Sequence, residues 1–118
     1  MGFLTPTGNI MCAVALDIKN SPMRCSLEKI DHPIRTRPAG CVGDWNEGSV
    51  IAFGATGQPI RACISDALAP DDYPPPKLTY GRTWRAGPIT CHARRDGLHC
   101  LNPEWHGFDL SRERQMLF

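Results

Sequence analysis

A chain of 118 residues with thirteen Lys and Arg against twelve Asp and Glu carries a net charge of +1 at neutral pH. That field is too weak to hold a phosphate backbone or an anionic membrane surface, so nucleic-acid binding and polybasic anchoring are excluded. The longest apolar run, IMCAVAL at 10–16, falls well short of the ~18 residues of a membrane span and has neither the charged flank nor the small-residue cleavage site of a signal peptide.

The unbroken mixed composition reads as one domain over residues 1–118. Eleven glycines and eleven prolines interrupt too often for long helices. Residues 1–8 enter through the turn TPTG, and strands follow at 9–14 and 23–28. The stretch 31–45, rich in proline and glycine, is an irregular crossing, after which 49–53 and 59–65 form a hairpin around GATGQ. Residues 67–81 run extended, with Pro74, Pro75 and Pro76 near polyproline II. YPPPKLTY in that run suits a docking strip or a strap over a sheet edge. RTWRAG precedes a hairpin over 87–100, and a strand through Phe108 and Leu110 leads into a partly ordered tail, with a short helix capped by Ser111 as the alternative. The predicted fold is all-β, roughly six to eight short strands in a small disulfide-stapled barrel or sandwich with little helix.

Six cysteines decide the rest. GPITCHARRDGLHC places Cys91, His92, His99 and Cys100 within ten residues, which sets a zinc site against a disulfide. A loop Arg94-Arg95-Asp96-Gly97, with Gly97 in the left-handed region, puts Ala93 opposite Leu98, His92 opposite His99 and Cys91 opposite Cys100. Side chains alternate faces, so the cysteines share one face and the histidines the other, and the four cannot converge on one ion. The C-x2-4-C spacing of closed zinc sites is absent from the chain, whereas opposed cysteines stand at bridging distance. The same arithmetic pairs Cys12 with Cys25. Ile10, Cys12 and Val14 then face inward with Met23, Cys25 and Leu27, while a one-residue slip would bury Arg24 and Glu28. Cys41 and Cys63 pair by exclusion. G-x-I-x-C occurs at both Gly8–Cys12 and Gly87–Cys91, so the two hairpins read as variants of one unit. Bridges of roughly 2–4 kcal/mol each place the chain in an oxidising compartment, secreted, cell-surface or periplasmic. An export signal is not among these residues and is expected ahead of them.

The stretches FLTPTGNIMC, CVGDW, TYG, GLHCLN and HGFDLSRERQMLF, in that order, resemble a family of small exported bacterial proteins known as a domain of unknown function. The likeness spans nearly the whole chain. It implies an exported, disulfide-bonded, mainly β module and brings no activity or catalytic residues with it. The chain departs where the family more often reads D-W-G, since Asn46 follows Trp45, and G-H-G-F, since Trp105 precedes His106.

Candidate chemistry is sparse. Six oxidised cysteines leave no thiolate nucleophile. His32, His106 and several aspartates supply parts of a triad without a G-x-S-x-G elbow, and Asp71 and Asp72, being adjacent, splay apart where glycosidases need facing carboxylates. His92 and His99 read as solvated surface histidines, because two imidazoles with no carboxylate nearby hold a transition metal weakly. No catalytic residue, metal or cofactor is expected. Trp45, Tyr73, Tyr80, Trp105 and His106 lie in or beside loops and form the candidate contact surface; aromatic faces suit sugar rings and protein partners alike. Together with Trp84 they equally suit plugs beneath long loops. The leading functional expectation is a non-enzymatic interaction module, an inhibitor or immunity protein occluding a secreted or cell-wall-acting enzyme. The alternatives are a cell-envelope glycan (peptidoglycan) binder and a small hydrolase centred on His32 or His106. The expected partner is therefore another protein or a cell-envelope glycan.

Overall fold

The computed structural model describes residues 1–15, 22–64 and 73–118, and among them the apolar alternation becomes strand almost throughout. β1 (Gly2–Leu4), β2 (Ile10–Val14), β3 (Met23–Leu27), β4 (Val50–Phe53) and β5 (Ile60–Arg61) form one antiparallel sheet in that order. β6 (Thr83–Ala86), β7 (Ile89–Arg94), β8 (Gly97–Leu101), β9 (Gly107–Leu110) and β10 (Gln115–Leu117) form a second. Each sheet is a simple meander that does not close on itself, so the architecture is a sandwich and not a barrel. A single 3-10 turn at Asn46–Gly48 is the one helical element among the described residues, and none of their helices is long and apolar enough to cross a membrane.

One apolar core lies between the sheets. Ile10, Cys12 and Val14 of β2 and Met23, Cys25 and Leu27 of β3 are buried in it, as are Ile51 and Phe53 of β4. From the other side come Ile89, Cys91 and Ala93, Leu98 and Cys100, and Phe108 and Leu110. Each large side chain fully removed from water contributes about 1.5–3 kcal/mol. Ring contacts tie the layers together, Phe3 to Trp84 at 4.8 Å and Phe53 to Phe108 at 5.4 Å. Cys12 pairs with Cys25 and Cys91 with Cys100 in the expected registers, each with Cα atoms 4.1 Å apart, and Cys41 bonds Cys63.

The duplicated G-x-I-x-C signals more than two similar hairpins. In both sheets the disulfide joins the second and third strands. Its first cysteine is flanked on the preceding strand by a ring, Phe3 beside Cys12 and Trp84 beside Cys91. Its second is flanked on the following strand by Ile51 and by Phe108. Gly8 and Gly87, both at positive φ (78° and 55°), turn the chain into the stapled strands. Phe3 and Trp84 hold corresponding places in the two meanders and meet at a tilted ring contact.

The ten strands among the described residues exceed the expected six to eight. The surplus is β1, whose three residues are too few to show a period, and β10. The C-terminal segment is therefore neither a helix nor a loose tail. Ser111 closes a turn instead of capping a helix: its N–H and Oγ–H donate to the Arg114 carbonyl and its Oγ accepts the Arg114 N–H, returning Gln115–Leu117 against β9. The β7–β8 connection is tighter than a four-residue loop, since Arg94 and Gly97 themselves pair across it. In the segment 59–65, whose last residue lies outside the described ones, Ile60 and Arg61 pair with β4, the Ala62 N–H donates to the Val50 carbonyl and Ile64 makes an isolated bridge to Asp44; Asp71 and Asp72 also lie outside the described residues. The proline segment is a strap. Leu4 donates to the Pro76 carbonyl at 2.9 Å and accepts from the Leu78 N–H at 2.8 Å, covering the β1 edge with residues that cannot recruit a further strand.

Candidate functional site

Pro33, Pro38, Gly40 and Gly43 deny regular structure to the long β3–β4 crossing, yet it is held by specific ties. Cys41 is bonded to Cys63 just beyond β5, and Asp44 bridges Ile64. The Trp45 Nε1–H donates to the Ile34 carbonyl at 2.6 Å, Arg61 Nη1 donates to the Gly48 carbonyl at 2.7 Å, and the Arg37 guanidinium donates to the Gly43 carbonyl. Partial burial lowers the Arg61 pKa from its ordinary value, without discharging it. On this frame Val42 is 94 % exposed, Ile60 57 % and Ile34 40 %. Val42, half-buried Trp45 and Ile60 border a shallow concavity of about 580 Å³ beside the disulfide. A loop tied at these points and carrying exposed apolar groups offers adhesion.

The other aromatics do not gather there. Tyr73, at the start of the strap, and Trp105 are largely exposed, whereas Trp84 is half-buried against Phe3 and belongs to the core. Trp105 and half-buried His106 sit in the β8–β9 loop, where Trp105 has φ 65°. That loop is organised by Asn102, which sequence reasoning missed. Its Oδ1 accepts the N–H groups of Glu104 and His106, and its Nδ2 donates to the carbonyls of Gly54 and Gly57. Asn102 thus clamps the β4–β5 turn of one sheet to the β8–β9 loop of the other. A buried asparagine flanked by Pro103 gave no pattern to find it by.

Tyr80 lies at the opposite end of β8, in a groove of about 420 Å³. Ile10, Leu98 and Leu110 floor it, and the turns at 5–9, 94–97 and 111–113 wall it. The Arg95 guanidinium lies 4.7 Å above the Tyr80 ring. Arg112 at the rim donates to Asp31 at 2.7 Å, and that hydrogen bond raises its pKa. Four of the five stretches on which the family resemblance was read contribute to these walls, and only CVGDW lies elsewhere. Turn residues far apart in sequence meet because every second turn of a meander falls at the same end.

A family of unknown function (DUF6636) matches residues 1–118. The chain belongs to this family. No curated protein and no solved structure matches it. In this DUF6636 chain the expected cross-strand pair, His92 and His99, stands in a polar row on the outer face of the second sheet, Thr83–His92–His99–Asp109 across β6 to β9. Thr83 Oγ1 bonds His92 Nδ1 at 2.9 Å, and Asp109 Oδ1 bonds His99 Nδ1. A carboxylate is therefore nearby after all; it arrives from β9, which no local spacing around residues 92–99 reveals. Neither the His32 nor the His106 imidazole hydrogen-bonds a carboxylate among the described residues of this DUF6636 chain.

Proposed function

We propose that this protein is a non-enzymatic interaction module of an oxidising compartment outside the cytosol, and that it occludes a secreted or cell-wall-acting enzyme with its stapled crossing loop. The observation that carries this reading is the exposure of Val42 and Ile34 on a loop fixed by Cys41–Cys63 and by the Trp45, Arg61 and Arg37 hydrogen bonds, beside exposed Ile60 of β5. Apolar side chains on a loop that is already ordered lose little entropy on docking, so their burial is available for affinity. The partner that fits is a protein with an apolar recess receiving Val42. Three disulfides support the compartment.

A photo-crosslinking residue at position 42, in the chain produced in its native envelope, is expected to trap an enzyme whose activity the purified chain suppresses. A crosslinker at position 105 is expected to trap none. Val42→Glu should weaken that suppression by about 30-fold, the effect of losing a central contact of roughly 2 kcal/mol. Trapping only from position 105, or undiminished suppression by Val42→Glu, overturns the reading.

A second reading, binding of a cell-envelope glycan, draws on the end groove, whose 420 Å³ falls within the size of small-ligand pockets and which presents Tyr80 to a sugar face. Calorimetric titration with peptidoglycan fragments should then give saturable binding that Tyr80→Ala abolishes, and a flat titration removes this reading.

A further inference from the structure

The row Thr83–His92–His99–Asp109 has a property that neither histidine has alone. Both imidazoles are pinned through Nδ1, and to partners on opposite sides: His92 to Thr83 on β6, His99 to Asp109 on β9. An imidazole carries Nε2 on the ring edge away from Nδ1. Pinning the two Nδ1 atoms outward therefore turns both Nε2 edges inward, toward the seam between β7 and β8, where the residues are direct cross-strand neighbours. Neither Nε2 has a hydrogen-bond partner among the described residues. The His99 side chain is only 20 % exposed, so its ring is held by packing as well. A carboxylate accepting the Nδ1–H fixes the tautomer in which the Nε2 lone pair is free. The Thr83 hydroxyl can accept the corresponding proton of His92.

We propose that His92 and His99 form a two-imidazole site for a divalent transition-metal ion, copper(II) above all. Two nitrogen donors suit copper, nickel and zinc, and copper(II) heads the affinity order for such donors. Among the described residues no group of three or more His, Cys, Asp or Glu side chains is placed to hold a metal. The site therefore supplies two protein ligands and leaves the remaining positions to water. Asp109 acts as a positioning residue, bound to His99 Nδ1 and not to the ion. The site lies on the outer face of the second sheet, apart from the stapled crossing loop, and stands or falls independently of the occlusion reading.

The test is titration of the oxidised, full-length chain with Cu2+, followed by calorimetry and electron paramagnetic resonance. The expected result is one Cu2+ per chain, with hyperfine structure from two imidazole nitrogens and weaker binding of Ni2+ and Zn2+. Asp109→Asn keeps both imidazoles and should weaken Cu2+ binding by about 10–100-fold, the usual effect of losing such a partner. His92→Gln with His99→Gln should remove the two-nitrogen signature while the metal-free unfolding midpoint stays near that of the parent chain. Cu2+ binding that survives in the double variant, a spectrum of terminal-amine and amide ligation, or an affinity indifferent to Asp109→Asn overturns the proposal.

Discussion

Gly107→Ala and Gly97→Ala are each expected to lower the unfolding free energy by on the order of 4 kcal/mol, combining an overpacked contact with backbone that must shift or strain. A Cβ at Gly107 would stand 1.9 Å from the Cys100 carbonyl oxygen, and one at Gly97 2.4 Å from that of Leu110. Both obstacles are backbone, so no rotamer relieves them. They lie at the two ends of the β8–β9 ladder, and widening either end strains the pairing beside the Cys91–Cys100 bridge. Gly97 adds φ 144°, a region that L side chains rarely adopt. Gly8→Ala is the comparison that isolates the mechanism. Its φ is 78° but nothing lies within 4 Å of the added carbon, so only the left-handed backbone cost of about 1–2 kcal/mol applies. Urea denaturation of the three variants checks the order, and a Gly107→Ala protein as stable as Gly8→Ala contradicts the close approach.

Removing the disulfides as cysteine-to-alanine pairs separates two roles. The bridges close sequence separations of 13, 22 and 9 residues, and chain entropy gives each about 3 kcal/mol with little spread. The sulfurs differ in place. Cys12, Cys25, Cys91 and Cys100 are fully buried, so their loss also leaves voids in a packed core. Cys41 and Cys63 are half-buried beside the crossing loop. C12A/C25A and C91A/C100A are therefore expected to destabilise the whole fold by more than 3 kcal/mol, a large part of a net stability of about 5–15 kcal/mol. C41A/C63A is expected to have the smaller effect on the denaturation midpoint and the larger effect on crosslinking from position 42. A reversed order would place the third bridge in the core and remove the argument for a fixed loop.

The fold was legible where alternation and cysteine spacing act together. Ile10-x-Cys12-x-Val14 and Met23-x-Cys25-x-Leu27 fix which face turns inward, because a one-residue slip buries Arg24 and Glu28, and opposing the two cysteines then sets the register. β1 and β10 escaped because a three-residue strand has no period and is defined only by the neighbour that receives it. Ser111 misled because its hydroxyl serves a turn as readily as a helix cap. The candidate contact residues were legible as residue types and not as a surface. Trp84 proved to be half-buried against Phe3, Tyr80 and Trp105 fell at opposite ends of β8, and the neighbours of Trp45 that matter, Val42 and Ile60, are aliphatic groups whose exposure no sequence pattern records. Asp109 beside His99 was beyond reach because it arrives on the neighbouring strand β9, ten residues on, and leaves no mark on the spacing around residues 92–99.

The placement of the three bridges has one more effect. Each joins cysteines of the same half of the polypeptide, Cys12 to Cys25 and Cys41 to Cys63 before residue 64, Cys91 to Cys100 after residue 83, and none spans the two layers. The peptide segment linking residues 64 and 83 is thus the sole covalent tether between the halves. Oxidation guards each layer against unravelling and does nothing to stop the layers parting; their cohesion rests on the Phe3–Trp84 and Phe53–Phe108 ring contacts, the surrounding aliphatics, the Asn102 clamp and the Arg112–Asp31 bond. A single proteolytic nick in that tether would leave two independently cross-linked pieces held together by noncovalent contacts alone.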